Sequence, residues 1–133
     1  METTPITSIM TKDVECVTPS EKLLVVKHIY EKRNFHQHIP VVDNEKLVGM
    51  VSLVDFMRKI GGADLDDNNP AYHQYTVKDI MSSNPVSTDI SVTVADVARV
   101  LSKGEFHALP ITENEKVVGI VSTADILRFV LKK

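Results

Sequence analysis

The length of 133 residues suits one compact domain, or two small halves that share a core. The 15 Lys and Arg residues against 18 Asp and Glu residues give a net charge of −3. This balance argues against a sequence-independent nucleic-acid binder, because such a protein needs a positive electrostatic field. Apolar residues make up 43% of the chain and tryptophan is absent, so we expect an aliphatic core that folds without metal or disulfides.

Cysteine usage and the first residues predict the compartment. Cys16 is the single cysteine, so an intrachain disulfide is excluded and a cytoplasmic location is expected. The first residues have neither the positive charge nor the apolar stretch of a signal peptide, and no apolar run reaches the length of a bilayer span. We therefore expect a soluble protein without a removable leader.

The first predicted elements are a short strand and a helix. The strand is expected at residues 14–17. Leu23, Val26 and Tyr30 then recur at the spacing of one helical face, and Ser20 lies where an N-cap residue is expected. The pattern therefore predicts a helix that begins close to Ser20.

An antiparallel hairpin is predicted next. Apolar strands at 39–42 and 47–51 flank a polar turn at 43–46. Ser52-x-x-Asp55 follows, and this spacing is typical of a helix-capping box. We therefore expect the last helix of this half to begin at the serine.

Residues 61–73 are predicted to form a linker. Paired glycines, clustered acidic residues and an Asn-Pro step all oppose regular structure there. A calcium-loop pattern begins at Asp64, but Asn69 stands where such a loop requires glycine and Tyr75 stands where it requires glutamate. The sequence therefore favours a solvated acidic linker over a calcium site.

The same order of elements returns after the linker. Residues 40–56 align with residues 110–126 at an offset of 70, and nine of the seventeen positions are identical. Unrelated stretches of ordinary composition would share about one. Thr93 and Asp96 supply a capping box for the helix that corresponds to the first one.

The duplication predicts an α+β fold made of two β-α-β-β-α repeats, at residues 1–60 and 74–133, related by pseudo-two-fold symmetry. A half of this size has a marginal core of its own. The two halves are therefore expected to pack against each other.

Each half resembles a CBS (cystathionine-β-synthase-type) domain, and the pair resembles the arrangement called a Bateman module. The resemblance implies a module that binds AMP, ADP, ATP, S-adenosylmethionine or a related adenosyl ligand in clefts between the repeats. It also implies a homodimer. The residues that carry the resemblance are the Ile-Met openings at 9–10 and 80–81, the prolines at 40 and 110, and the Val-Gly-h-Val-Ser-x-x-Asp motifs at 48–55 and 118–125.

The resemblance places the two Ser-x-x-Asp motifs in the ligand clefts. A ribose presents two neighbouring hydroxyl donors and a carboxylate accepts both, so Asp55 and Asp125 are predicted to hold the sugar. Ser52 and Ser122, at helix N-termini, would contact ribose or phosphate. The alternative is that each motif is only a helix cap, which needs no ligand, and the two roles are compatible.

The family arrangement, in which each cleft takes the opening strand of one repeat and the Ser-x-x-Asp motif of the other, implies two candidate sites. The first comprises Asp13, Glu15, Phe35, His36, Ile120, Ser122 and Asp125. The second comprises Asn84, Val86, Phe106, His107, His38, Met50, Ser52 and Asp55. The second is favoured, because two acidic side chains at the mouth of the first oppose an anionic ligand and one inserted residue before Pro40 disturbs its register.

Positive charge for a phosphate is sparse. The candidates are His36, His38 and His107, with Arg58 and Arg128 one turn beyond the aspartates. Neither proline is preceded by Arg or Lys, which argues against tight binding of a triphosphate. The alternative for each arginine is an ion pair with the aspartate three residues before it.

The sequence offers little support for a metal site or for catalysis. His36-x-His38 could bind a metal with Cys16 or His107, but without a pair of cysteines we expect solvated or cleft-lining histidines and no metal. No nucleophile motif, zinc-protease motif or phosphate-binding glycine-rich loop occurs in the sequence. We therefore predict a stand-alone regulatory sensor that is not an enzyme and signals to a target protein. The alternatives are a nucleotide-free dimerisation or protein-interaction scaffold and, third, an enzyme.

Overall fold

The computed structural model describes residues 1–33 and 36–132, and the chain divides into two compact units. Unit 1 combines Met1–Val14 with Val86–Lys133, and unit 2 is Glu15–Pro85. The predicted domain boundaries follow the repeats, whereas these units are cut inside the opening segment of each repeat. No helix in the described residues is long and apolar enough to cross a membrane.

Unit 2 contains the helix-hairpin-helix pattern predicted for the first repeat. Strands β1 (His38–Asp43) and β2 (Lys46–Ser52) pair antiparallel, with an irregularity between Val41 and Val42. Strand β3 (Ser82–Ser83) pairs antiparallel with β2. A single turn of 3-10 helix at Val77–Asp79 precedes β3. The elements are α1 (Leu23–Tyr30), β1 (His38–Asp43), β2 (Lys46–Ser52), α2 (Leu53–Ile60), α3 (Ala71–Gln74) and β3 (Ser82–Ser83).

Unit 1 repeats this architecture. Strand β5 (Ala108–Glu113) pairs antiparallel with β6 (Lys116–Ser122) and parallel with β4 (Thr88–Asp89). The irregularity of the first hairpin recurs between Ile111 and Thr112. A 3-10 turn at Ile6–Ser8 corresponds to the one in unit 2. The elements are β4 (Thr88–Asp89), α4 (Val94–Leu101), β5 (Ala108–Glu113), β6 (Lys116–Ser122) and α5 (Thr123–Leu131).

Both predicted hairpins are confirmed, and their turns have the same geometry. Asn44 and Glu45 have φ values of 50° and 68°, and Asn114 and Glu115 have 52° and 69°. Two consecutive left-handed residues match a two-residue type I′ turn, whose twist fits that of the flanking strands. Asparagine tolerates this conformation, so the repeated Asn-Glu pair fixes the register of each hairpin.

The opening segment of each repeat lies on the helix of the other repeat. In unit 1, the Val94 N–H group donates to the Thr4 carbonyl oxygen at 2.8 Å. In unit 2, the Leu23 N–H group donates to the Tyr75 carbonyl oxygen at 3.1 Å. The two bonds are equivalent at an offset of 71 residues, so the exchange of opening segments is the same in both units.

The sequence predicts Ser20 as the N-cap of α1, and this exchange explains why that prediction is wrong. The N-cap residue is Lys22, which makes no side-chain capping bond. The carbonyl oxygen of Tyr75 accepts the hydrogen bond from the first helical N–H group instead. The free end of this helix is therefore satisfied by backbone from the second repeat's opening segment.

A glycine in each hairpin lets the exchanged segment approach the strand. A Cβ atom on Gly49 would lie 2.7 Å from the Met81 Sδ atom and 3.0 Å from the Ser82 carbonyl oxygen. A Cβ atom on Gly119 would lie 2.6 Å from the Met10 Sδ atom and 3.1 Å from the Thr11 carbonyl oxygen. The repeated Val-Gly motif therefore has a structural cause, because a side chain there would crowd both the methionine and the backbone of the segment.

We expect Gly49→Ala and Gly119→Ala to lower the free energy of unfolding by about 1–3 kcal/mol through overpacking. Urea unfolding measures the change. Gly62→Ala is the matched control, because a Cβ atom at Gly62 meets nothing within 4 Å. Equal stability of the three variants would contradict the close-approach argument.

The predicted linker packs on α1. The Tyr72 ring is fully buried, and its hydroxyl group donates to the Asp64 carbonyl oxygen at 2.5 Å. The ammonium group of the buried Lys27 donates to the Asp67 carboxylate at 2.6 Å and lies 5.4 Å from the centre of the Tyr72 ring. The sequence predicts a solvated acidic linker here, but the segment supplies a core residue and an ion-pair partner. Helix α3 extends to Gln74, one residue past the predicted end of the linker.

The ion pair predicts a pH dependence of stability. Hydrogen bonds from Lys27 and His28 hold the pKa of Asp67 below its usual range. The charged carboxylate therefore stabilises the fold above its unfolded pKa of about 3.9, and this contribution is lost as the pH falls through the folded pKa.

We expect Asp67→Asn to be less stable than the wild type at pH 7, with a difference that shrinks below about pH 4. Thermal unfolding across this pH range measures it. Asp43→Asn, at an exposed hairpin turn, serves as the control and should follow the wild type. A constant difference between Asp67→Asn and the wild type at every pH would exclude the ion pair as its cause.

Candidate functional site

Both Ser-x-x-Asp motifs lie where a strand passes directly into a helix. Ser52 ends β2 and caps α2, and its Oγ atom accepts a hydrogen bond from the Asp55 N–H group at 3.0 Å. Ser122 ends β6 and caps α5, and its Oγ atom accepts from the Asp125 N–H group at 3.2 Å. The prediction that each final helix begins at the serine is confirmed.

The two aspartates differ in how their carboxylates are used. One Asp125 oxygen accepts hydrogen bonds from the Ser122 N–H group at 2.8 Å and from the Ser122 hydroxyl group at 3.0 Å. The other oxygen accepts from Arg128 at 2.6 Å. Within residues 1–33 and 36–132, the half-buried Asp55 carboxylate accepts no hydrogen bond. Its acceptor capacity is therefore available to a ligand.

The two arginines differ in the same way. The ion pair proposed as the alternative role of Arg128 is present, with Asp125 as its partner. In the described part of the chain, Arg58 makes no ion pair with Asp55, although the spacing is the same. The exposed Arg58 guanidinium is therefore available for an anion.

Unit 2 brings five residues of the second predicted site onto one hairpin, the helix that follows it and the segment beside it. His38 pairs with Ser52 across β1 and β2, and Met50 pairs with Ser82 of β3. Asn84 follows β3 with a φ of 53°, and its N–H group donates to the Val48 carbonyl oxygen at 3.4 Å. The members of this group are His38, Met50, Ser52, Asp55 and Asn84.

Sequence reasoning missed Tyr30 as a neighbour of this group. The Tyr30 ring packs against Phe56, the residue after Asp55, with ring centroids 5.4 Å apart. Burial and the charge of Asp55 raise the pKa of Tyr30. Its hydroxyl group donates to the Gln37 carbonyl oxygen at 3.0 Å. Tyr30 was assigned to the helix face that packs in the core, and its polar end is the signal that could have indicated a second role.

Unit 1 places part of the first predicted site in the equivalent arrangement. Thr11 forms an isolated antiparallel bridge with Ile120, next to Ser122 on the same strand. Asp13 follows with a φ of 54°, which matches the backbone of Asn84. Asp13 is exposed and Ile120 is 4% exposed. An acidic residue therefore stands in unit 1 where unit 2 has an amide.

The remaining predicted residues belong to the other unit in each case. Glu15 and His36 are in unit 2, and Val86, Phe106 and His107 are in unit 1. Their assignment to the two sites stays a prediction, and Phe35 lies outside the described residues. The Glu15 carboxylate forms an ion pair with Lys32 at 2.6 Å, so Glu15 opposes an anion less than the sequence suggested.

The group of possible metal ligands found in the described residues does not include His36 or His38. That group is His28, Glu31 and Asp67, whose ligand atoms all lie within 4.8 Å of one another. The Lys27 ammonium group already contacts both carboxylates, at 2.8 Å and 2.6 Å, which accounts for the cluster without an ion. Burial raises the pKa of the Cys16 thiol, which disfavours the thiolate that a nucleophile or a metal ligand requires.

Comparison with known proteins decides the family. A family model described as "CBS domain" matches residues 6–62 and again residues 77–132. The chain belongs to the CBS-domain family. The predicted resemblance is therefore confirmed for both repeats.

Relatives of this CBS-domain chain include longer proteins. The protein MJ0188 of Methanocaldococcus jannaschii is 32% identical over 126 residues, which cover 93% of this chain and 43% of that protein. The chain spans from 34% to 45% of the length of four such relatives from this organism. Similarity to these proteins therefore concerns the CBS-domain pair within them.

Two solved structures share the fold over nearly the whole chain. CBSX2 in complex with AMP has a TM-score of 0.79 and 25% identity, and the match covers 97% of both chains. The CBS domain pair of protein MJ0100, in complex with 5′-methylthioadenosine and S-adenosyl-L-methionine, has a TM-score of 0.78 and 27% identity and covers 98% of both chains. The predicted duplicated α+β fold is confirmed.

We expect Asp125→Asn to lower the free energy of unfolding without ligand by about 1 kcal/mol, because it weakens a capping box and an ion pair. Asp55→Asn should cost less than about 0.5 kcal/mol, because that carboxylate has no partner to lose among the residues that the structure describes. Urea unfolding of both variants checks the difference. An equal loss in the two variants would contradict the different use of the two aspartates.

Proposed function

We propose that the chain is a regulatory module that binds an adenine nucleotide or a related adenosyl ligand, with Asp55 as the residue that holds the ribose. The observation that carries the proposal is the half-buried Asp55 carboxylate that lacks a hydrogen-bond donor in the described residues, at the start of α2. Buried or half-buried carboxylates are normally satisfied by donors, so a ligand with two donors fits this position.

Similar proteins indicate the chemical class of that ligand. CBSX2 was solved with AMP, and the MJ0100 domain pair with 5′-methylthioadenosine and S-adenosyl-L-methionine. These molecules share adenosine and hence the ribose diol, while their charges differ. A carboxylate that accepts from both hydroxyl groups would recognise the part they have in common.

The surroundings of Asp55 support contacts to the rest of the ligand. The Ser52 hydroxyl group accepts from the Asp55 N–H group and keeps its own proton for a ribose or phosphate oxygen. Arg58 lies one helical turn beyond Asp55 and is exposed. Within unit 2, Met50 would supply an apolar contact to the adenine, and His38 and Asn84 would supply polar ones.

The small number of cations favours a ligand with little negative charge. Neither Pro40 nor Pro110 is preceded by Arg or Lys, which leaves Arg58 and the histidines to neutralise a phosphate. AMP, 5′-methylthioadenosine and S-adenosylmethionine are therefore preferred over ATP. In this proposal the ligand is a regulatory effector, the chain performs no catalysis, and the output reaches a target protein in the cytoplasm.

The second candidate function is a dimerisation scaffold. Five apolar side chains on the two Ser-capped helices are more than 40% exposed, which is unusual for a helix that meets only water. We propose that these faces pack against a second copy as a homodimer, with or without ligand. The residues are Val54 and Met57 on α2 and Leu127, Val130 and Leu131 on α5.

Thermal unfolding with and without ligand tests the proposed function. A ligand at a hundred times its Kd should stabilise the chain by about 2.7 kcal/mol, and we expect this with AMP or S-adenosylmethionine. The matched ligand 2′-deoxy-AMP, which lacks one ribose hydroxyl group, should bind about tenfold or more weakly, because a hydrogen bond to a charged group contributes about 1.5–3 kcal/mol.

The matched variant is Asp55→Asn, which should lose most of the AMP-induced shift, while Asp43→Asn should keep it. Unchanged melting with every adenosyl ligand would favour the ligand-free scaffold. An equal shift with AMP and 2′-deoxy-AMP would contradict the role of Asp55 at the ribose.

A further inference from the structure

We infer that hydrogen bonds from Ser122 and Arg128 occupy the acceptor positions of the Asp125 carboxylate, so that the second Ser-x-x-Asp motif is closed to a ligand. The chain then binds one adenosyl ligand, at Asp55. This inference rests on the proposed function and adds its stoichiometry and its selectivity between the two repeats. The sequence motif predicts two equivalent positions, whereas the side-chain contacts distinguish them.

The Asp125 carboxylate already has the donors that a ribose would offer. One oxygen accepts two hydrogen bonds from Ser122, and the other accepts the Arg128 guanidinium at 2.6 Å. A ribose diol needs acceptor positions on the same two oxygens. A ligand at Asp125 must therefore displace at least one internal donor before it gains its own hydrogen bonds.

Residues at equivalent positions explain why the motif alone does not show this difference. Arg58 and Arg128 occupy the same place after their aspartates, yet Arg128 alone pairs with its aspartate in the described residues. Tyr30, whose ring packs against the residue after Asp55, is replaced at the equivalent position of the second repeat by Leu101. Tyr30 and Leu101 are therefore one sequence difference that accompanies the open and the closed motif.

The size of the effect follows from the exposure of the partners. The Arg128 side chain is 65% exposed, so its ion pair alone contributes little, whereas the Asp125 side chain is 18% exposed and its bonds to Ser122 are partly shielded. Together we expect them to weaken binding at Asp125 about a hundredfold, which corresponds to about 2.8 kcal/mol and keeps a second step out of the wild-type titration. Arg128 is thus a positioning residue that acts on the ligand through Asp125.

Isothermal titration of the full chain with AMP tests this inference. The wild type should bind one AMP per chain in the main step. Asp55→Asn should abolish that step, and Asp125→Asn should keep it with the same stoichiometry. Arg128→Gln should add a second, weaker step, whereas the matched Arg58→Gln should weaken the first step without adding another. The number of steps is a readout that a merely structural role of Arg128 would not change.

Two equal sites in the wild type, or an equal loss of binding in Asp55→Asn and Asp125→Asn, would overturn the inference and leave the proposed function standing. No binding of AMP or S-adenosylmethionine by any of these chains would overturn both. The wild-type stoichiometry requires no substitution, so the inference is tested even if Asp125→Asn fails to fold.

Discussion

The close approach of each exchanged opening segment to the glycine of a hairpin is the constraint on which both units depend. The segment brings a methionine sulfur and a backbone carbonyl to within about 3 Å of where a Cβ atom would stand at Gly49 or Gly119. In unit 1 the Thr11 and Ile120 backbones then exchange two hydrogen bonds, of 3.0 Å and 3.1 Å. A core built on one repeat alone would be marginal, so the opening segment of the other repeat adds apolar side chains to the core of each unit.

The same constraint assembles the candidate site. A segment that pairs with β2 at Gly49 and Met50 places Ser82 opposite Met50, two residues before the serine that caps α2, and continues into Asn84 beside Val48. In each motif the serine caps the helix, and the aspartate lies in the first turn, where its carboxylate can accept hydrogen bonds. In unit 1 the Asp125 carboxylate accepts hydrogen bonds from its own cap and from Arg128, whereas the Asp55 carboxylate of unit 2 accepts none from the described residues. Capping and ligand binding are compatible alternatives in the sequence. Both serines cap their helices, and we propose that the Asp55 carboxylate alone is left for a ligand.

The sequence predicts the local elements well, because they depend on short-range patterns. Periodicity located both hairpins, and the Ser-x-x-Asp spacing located the start of α2 and α5. The cap of α1 was wrong because its partner, Tyr75, is distant in sequence, and the buried Tyr72 was hidden in a segment whose composition is typical of a solvated linker. The difference between Asp55 and Asp125 could not be predicted, since it arises from side-chain contacts around identical motifs.

The most direct test of the account is an NMR titration of the uniformly ¹⁵N-labelled chain with AMP. The account predicts that the largest amide shifts occur at residues 52–56, around the open carboxylate, and at residues 82–84 of the exchanged segment, with smaller changes at residues 122–126. Shifts that are absent, that fall mainly on the exposed faces of α2 and α5, or that are equally large at both Ser-x-x-Asp motifs would contradict it.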